Sequence, residues 1–296
     1  MSAEARAQTY CVRDWLAVTV RRFEDSGLYF GHGTDNAYDE AVYLLLHTLK
    51  LPLDELDSVL PRQLSSAEIQ ALEAVVGRRI DERIPAAYLT REAWLGDFRF
   101  YVDERVIVPR SYIAELLQDG LHPWIDEDSV TRALDLCTGS GCLAILMALS
   151  FPQAEVDASD LSADALAVAE RNIAQYELRS RVHPIKSDLF TGLQARYDLI
   201  VCNPPYVKRE SMEKLPMEYR AEPAMALAGG EDGLQIVRRT IDEARAHLND
   251  DGILIVEIGH NRTALEQAFA RLPFTWLETS GGDGFVFLLT AADLAR

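Results

Sequence analysis

Tyr197-Asp198-Leu199-Ile200-Val201-Cys202-Asn203-Pro204-Pro205-Tyr206 opens as an apolar run of strand length and ends in two prolines. Its leucine and β-branched content fits a strand buried on both faces of a parallel sheet. Consecutive prolines lack backbone donors and cannot continue a central strand, so the strand stops at Cys202. Pro204 also biases Asn203 toward an extended backbone. The break presents an Asn carboxamide, two carbonyls and an aromatic ring at a strand's carboxyl edge, where open α/β sheets bind ligands. Asn203 and the Pro204 carbonyl are two acceptors for the two N–H donors of a planar NH2 group. Pro205 and Tyr206 complete the candidate grip, Tyr206 as a stacking or walling ring. An ordinary Asn-Pro turn has the same local signature, so this stretch alone leaves both readings open.

Upstream, Leu134-Asp135-Leu136-Cys137-Thr138-Gly139-Ser140-Gly141-Cys142 is a strand feeding a glycine-rich turn into a helix. The glycines permit close backbone approach, and the helix start favours electronegative ligand groups. At the end of the next strand stand Asp160 and Leu161, where an acid can hydrogen-bond ribose hydroxyls. At the third strand end, Ser187-Asp188-Leu189 offers an acid for an exocyclic amine and an apolar residue for a ring. An adenosine-containing cofactor fits this set. Gly139, Gly141 and Ala144 also satisfy a dinucleotide fingerprint, which keeps a dehydrogenase in competition. Paired NH2 acceptors after the fourth strand serve a methyltransferase acting on an amide or exocyclic amine, and a dehydrogenase has no use for them.

From Arg132 onward, strand and helix patterns alternate, which predicts a parallel sheet covered on both faces. The predicted strands are 132–137, 154–160, 182–188, 197–202, 252–259, 274–278 and 284–290. The predicted helices between them lie near 143–150, 163–176, 234–247 and 263–272. Ser280-Gly281-Gly282-Asp283 is too short for a crossover, so the last strand should run antiparallel. The fold class is α/β: a doubly wound, mostly parallel, seven-stranded Rossmann-like sheet. Before it the chain reads as helical, with helices expected over Thr9–Phe23, Ala37–Leu49 and from Ser65-Ser66 to about Arg83. Asp35 or Thr34 can cap the second helix, and Ser65 with Glu68 fits a capping box on the third. The loop Gly31-His32-Gly33 reads as a helix–helix connection or as a partner contact. In Phe98–Asp103 the even positions are apolar, a half-buried strand that Ala93-Trp94 can pair. The expected division is a helical domain over 1–88, a β-hairpin hinge over 89–110 and a catalytic domain over 111–296.

The chain has 296 residues, 48% hydrophobic and 26% charged, the composition of a globular protein with ample core. Met1-Ser2-Ala3-Glu4-Ala5-Arg6 does not open a signal peptide, and a cytoplasmic location is expected. The four cysteines form no CxxC pair and read as small buried residues of a reducing compartment. The six histidines are scattered, and no metal site is expected. A net charge of −18 repels phosphate backbones and attracts a basic partner.

Together these motifs resemble the class I S-adenosylmethionine-dependent methyltransferases with an Asn-Pro-Pro-Tyr motif, and specifically the protein-glutamine methyltransferases of translation. The resemblance spans nearly the whole chain, including Arg105–Arg110, Glu222-Pro223 and Gly229-Gly230. It implies S-adenosyl-L-methionine as cofactor. It assigns Asp135, Thr138, Gly139, Ser140 and Gly141 to the methionine-binding turn, and Asp160 with Leu161 to the ribose. Ser187-Asp188-Leu189 falls to the adenine edge, and Asn203-Pro204-Pro205-Tyr206 to the glutamine clamp, Asn203 also bordering the cofactor. Two branches of the family act on peptide release factors and on the third protein of the large ribosomal subunit. Tyr29–Glu40 and Phe100–Val106 resemble the ribosomal-protein branch. This implies a basic ribosomal protein as substrate, free or in an assembly intermediate, recognised by the helical first domain. Lys208-Arg209, directly after the clamp, departs from the expected pattern. Glu222 reads as a substrate-loop contact or, slightly preferred, as a solvated acid.

Three alternatives stand beside this reading. A release-factor methyltransferase would share the chemistry. An adenine-amine methyltransferase would use the same clamp on a flipped base, although the negative charge and the lack of a basic stripe with aromatics oppose it. A binding module on a retired methyltransferase fold would have lost the cofactor residues, which are intact here.

Overall fold

The computed structural model describes residues 10–295. Met1–Arg6 and the expected helix start at Thr9 lie outside the described residues. The chain forms two compact units: residues up to Glu92 together with Pro216–Ala221, and Ala93–Leu215 together with Glu222–Arg296.

In the first unit, α1 (Val12–Asp25) buries Val12, Trp15, Leu16, Thr19 and Phe23, one face at three- and four-residue spacing. The second helix, α2 (Ala37–Thr48), is capped by Asn36, whose side chain accepts from Asp39 N–H at 2.9 Å. This corrects the expected Thr34 or Asp35 cap. Three adjacent residues are all competent, and only the last reaches the first-turn amides. Thr34 instead donates its hydroxyl to Glu40 Oε2 at 3.1 Å. After a short turn, α3 (Leu56–Val59), comes α4 (Ser66–Asp81), with the expected Ser65/Glu68 capping box, worth about 1 kcal/mol. A last turn, α5 (Ala86–Thr90), closes the bundle.

Buried in this unit is an ion network. Arg79, 1% exposed, donates from Nε to Glu40 Oε1 at 2.6 Å, from Nη1 to Glu218 Oε1 at 3.2 Å and from Nη2 to the Tyr29 carbonyl at 2.8 Å. Glu218 also accepts from Tyr29 N–H at 3.1 Å. The His32 ring packs 4.5 Å from that of Tyr219 and is buried, so Gly31-His32-Gly33 is an α1–α2 connection with its histidine turned inward.

The second unit opens with the expected hairpin, β1 (Ala93–Leu95) against β2 (Phe98–Phe100), antiparallel. Then follow α6 (Ile113–Gln118), β3 (Arg132–Leu136), α7 (Cys142–Ser150), β4 (Glu155–Asp160), α8 (Ala163–Gln175) and β5 (Val182–Lys186). The chain continues through β6 (Tyr197–Cys202), α9 (Arg209–Met212), α10 (Gln235–His247) and β7 (Leu248–Glu257). It ends with α11 (Arg262–Ala268), β8 (Thr275–Thr279) and β9 (Gly282–Thr290). The sheet order is β5-β4-β3-β6-β7-β9-β8. The pairs β4–β5, β3–β4, β3–β6 and β6–β7 are parallel, while β9 runs antiparallel to both its neighbours, as expected.

Alternation along the strands fills both faces. In β6, Leu199 and Val201 enter one apolar cluster, and Ile200 and Cys202 the other. In β7, Ile253 and Ile255 join the first cluster, Leu254 and Val256 the second. Such two-sided burial is why the strands read as continuous apolar runs. Leu136 stands in register with Ser159 of β4 and Cys202 of β6, so the loops leaving three adjacent strands emerge side by side. Cys142 and Cys202 are buried as expected, whereas Cys11 and Cys137 are only partly so. Cys11 sits at the start of α1 with its Sγ 3.0 Å from Asp14 Oδ2, and Cys137 falls in the turn after β3. No helix among the described residues is long and apolar enough to cross a membrane.

Candidate active site

Asp135 organises the glycine turn from beneath. It is 1% exposed, and its Oδ2 accepts from the Thr138 hydroxyl at 2.5 Å and from Ala144 N–H at 3.0 Å. Its Oδ1 has no partner among the described residues. Burial pushes its carboxyl up to about 7, against the pull of those two donors. Gly139 adopts φ +55° and donates its N–H to Asp160 Oδ2 at 2.9 Å. Gly141 has φ +79°, and a Cβ there would lie 3.0 Å from the Ala169 Cβ of α8. The second glycine therefore serves helix packing. Ser140 is buried, its carbonyl accepting from Asn172 Nδ2 at 2.8 Å.

Above this turn lies a cavity of about 360 Å³. Cys137, Gly139, Asp160 and Leu161 wall one side, and Ser187, Asp188 and Leu189 a second. Asn203 and Pro205 from the break after β6 form a third. Thus eight of the expected residues border one space: Gly139, Asp160, Leu161, Ser187, Asp188, Leu189, Asn203 and Pro205. Asp135, Thr138, Ser140 and Gly141 stand behind the turn and shape it. Asp160 also accepts from Ser162 N–H at 2.8 Å, and burial raises its carboxyl. Asp188 pairs with Arg239 of α10 at 2.8 Å, which holds its carboxylate at the wall. The Ser187 hydroxyl donates to the Leu189 and Thr191 carbonyls at 2.6 and 2.8 Å, bending the chain so that Leu189 takes φ +50°.

The Asn203 carboxamide makes no hydrogen bond among the described residues and stays available at the wall. Pro204 is buried and does not line the cavity, and Tyr206 is placed differently again. Its hydroxyl donates to Glu257 Oε1 at 3.2 Å, and its ring lies over Gly259, where a Cβ would come within 2.8 Å of it. Burial, with the neighbouring Glu257 carboxylate, drives the phenol far above its ordinary range, so it is a donor and never a base.

Sequence reasoning missed several wall residues. Arg105, Val106 and Ile107 face the cavity, as do Pro223, Met225, Ala226, Gln235 and Ile236. A quoted stretch, Arg105–Arg110, carried that signal without a role attached. Glu222 is also corrected, since it is not a solvated acid. It is 4% exposed and forks onto Arg110, with Nη1 to Oε1 at 2.5 Å and Nη2 to Oε2 at 2.6 Å. It accepts Val108 N–H as well, at 2.9 Å. This ties the segment beginning at Pro223 to the one following Arg105. Arg209, one of the two unexpected basic residues after the clamp, pairs with Glu231 at the surface.

The donor set fits S-adenosylmethionine. Two carboxylates on the wall suit ribose hydroxyls and an amine, and Leu161, Leu189 and Ile107 suit a flat ring.

Residues 118–219 match the family model described as the methyltransferase small domain. Among solved structures, the chain is similar to the hMettl16 catalytic domain in complex with MAT2A 3'UTR hairpin 1. The TM-score is 0.52 at 16% identity, covering 86% of this chain and 91% of that one, a likeness of fold alone. Two curated relatives are each called ribosomal protein uL3 glutamine methyltransferase. The one from Neisseria gonorrhoeae is 59% identical, over 99% of both chains. The one from Burkholderia pseudomallei is 58% identical, over 96% of this chain and 95% of its own. With such relatives along its whole length, the chain belongs to the family of ribosomal protein uL3 glutamine methyltransferases.

Proposed function

We propose that this protein transfers a methyl group from S-adenosylmethionine to the side-chain amide nitrogen of a glutamine in ribosomal protein uL3. The observation that carries the reading is the unspent Asn203 carboxamide, set in the same wall as Asp160 and Asp188. When bound, S-adenosylmethionine supplies an electrophilic methyl group on a sulfonium.

An amide nitrogen is a poor nucleophile because its lone pair is delocalised into the carbonyl. Asn203 Oδ1 and the Pro204 carbonyl accept hydrogen bonds from its two N–H groups and turn the lone pair toward the cofactor side of the cavity. Both acceptors also stabilise positive charge growing on nitrogen, an interaction that strengthens in the transition state. After transfer, the nitrogen loses one proton to solvent, and no dedicated base is required. Pro205 and Tyr206 hold the clamp, Tyr206 through its bond to Glu257. Holding amide and methyl together contributes about 7–11 kcal/mol through effective molarity.

The substrate is a basic protein met free or within an assembly intermediate, in the cytoplasm. A net charge of −18 suits such a partner and speeds encounter at low salt. The test is incubation with methyl-labelled S-adenosylmethionine and, separately, uL3 or a release factor. Label on uL3, mapped by mass spectrometry to a glutamine side chain, is the expected result. Label on the release factor alone would transfer the enzyme to the other branch.

A further inference from the structure

S-adenosylmethionine carries a carboxylate as well as an ammonium and a sulfonium, and an acidic wall offers a carboxylate nothing. Asp160 and Asp188 border the cavity, in a chain of net charge −18. Among the described residues that line it, Arg105 is the one cation. Its geometry is built. Asp103, 5% exposed, takes the Nε edge of the guanidinium at 2.8 Å and Nη2 at 2.6 Å, and its Oδ1 accepts Arg105 N–H at 3.1 Å. Tyr101 donates its hydroxyl to Asp103 Oδ2 at 2.9 Å, and Arg171 lies 3.4 Å over the Tyr101 ring. The Arg105 hydrogen bonds hold the Asp103 carboxyl down at about 2, so the fork stays charged across the working pH range. A guanidinium has five N–H donors in a fixed plane, and Asp103 occupies one edge of it. The Nη1 side remains for a second anion.

We propose that Arg105, braced by Asp103, is the carboxylate-binding group of the cavity and takes the α-carboxylate of the cofactor's methionine moiety. The inference rests on the cofactor reading above. It explains why a cation stands in a wall that otherwise collects acids, and why so many groups hold it still. Bracing makes the donor rigid before the ligand arrives, which lowers the ordering cost of binding.

Calorimetric titration of the full-length protein separates the outcomes, with S-adenosylmethionine and its decarboxylated analogue as probes. Arg105→Gln should weaken S-adenosylmethionine about 10- to 100-fold, as expected for losing a charge-assisted hydrogen bond, and leave the analogue unchanged. Arg105→Lys should recover part of the loss, and Asp103→Asn should weaken S-adenosylmethionine alone, by a smaller factor. Equal weakening of both probes in Arg105→Gln overturns the assignment, since a folding defect or a general contact acts on both. Unchanged binding of both, with a raised KM for uL3, overturns it too and moves Arg105 to the protein substrate. A wild-type protein that binds neither probe fails earlier, at the cofactor reading itself.

Discussion

Tyr206 and Glu257 are joined hydroxyl to carboxylate at 3.2 Å, although one ends the clamp and the other ends β7. Glu257 Oε2 also accepts from the Ser111 hydroxyl at 2.7 Å and Tyr112 N–H at 2.9 Å, so one buried acid ties two segments, 111–112 and the clamp, to the end of β7. Tyr206→Phe leaves that acid one donor short. The expected cost is about 1.5–3 kcal/mol of stability, as for a hydrogen bond to a charged group. The kcat should fall while cofactor affinity stays close to wild type, and denaturant melts with isothermal titration check both.

Asn203→Ala removes an acceptor whose bond strengthens as charge develops on nitrogen. The kcat should fall about 100-fold or more, as when an oxyanion-hole donor is lost, with a far smaller change in cofactor affinity. Rate measurements at saturating S-adenosylmethionine and uL3 test this. An unchanged kcat would remove the clamp from the mechanism.

Gly229 approaches the clamp from outside. A Cβ there would lie 2.7 Å from Tyr206 Cα and 2.8 Å from the Pro205 carbonyl, so backbone must move to admit it. Gly229→Ala should cost about 1–3 kcal/mol by overpacking. Its kcat should drop more than that stability loss alone would suggest, because the displaced atoms hold Asn203. Comparing melting temperature with turnover separates the two effects.

The raised Asp135 carboxyl makes a pH prediction. Folded, it titrates near 7; unfolded, near its ordinary 3.8. Between those values the folded chain keeps a proton that the unfolded chain has released, so this group's contribution to stability falls as pH rises from about 4 to about 7. The full swing is of order 4 kcal/mol. Urea melts of wild type and Asp135→Asn across pH 4.5–8 should differ by a slope of that sign, levelling above pH 7.

Glu222→Gln leaves Arg110 without its carboxylate in a mostly buried place. Removing one member of such a pair costs about 3–5 kcal/mol. Arg110→Lys should also lose stability, since an ammonium cannot reproduce the two-pronged fork.

What the sequence made legible depended on local chain chemistry. Two prolines end β6 wherever they fold, and Gly139 with its positive φ marks the turn without any knowledge of the partner strands. The alternating β6 and β7 residues announced burial on both faces. Long-range pairing was illegible. Glu222 meets Arg110 across 112 residues and Glu218 meets Arg79 across 139, and neither acid differs in type from a solvated one. Asn36 was missed because Thr34 and Asp35 are equally good caps on paper. Arg105 carried no role in the sequence because the cavity that explains it is assembled from seven segments of chain.

The buried Arg79 also orders events in time. Glu40 precedes it in the chain, but its second acid, Glu218, and the Tyr219 ring beside His32 follow only after β3, β4, β5 and β6 have been made. Nascent chains generally fold domain by domain from the amino end. Here the helical unit cannot finish ahead of its successor. During synthesis Arg79 Nη1 lacks its Glu218 acceptor until residues 216–221 arrive, and a fragment cut at Glu92 would lack it permanently.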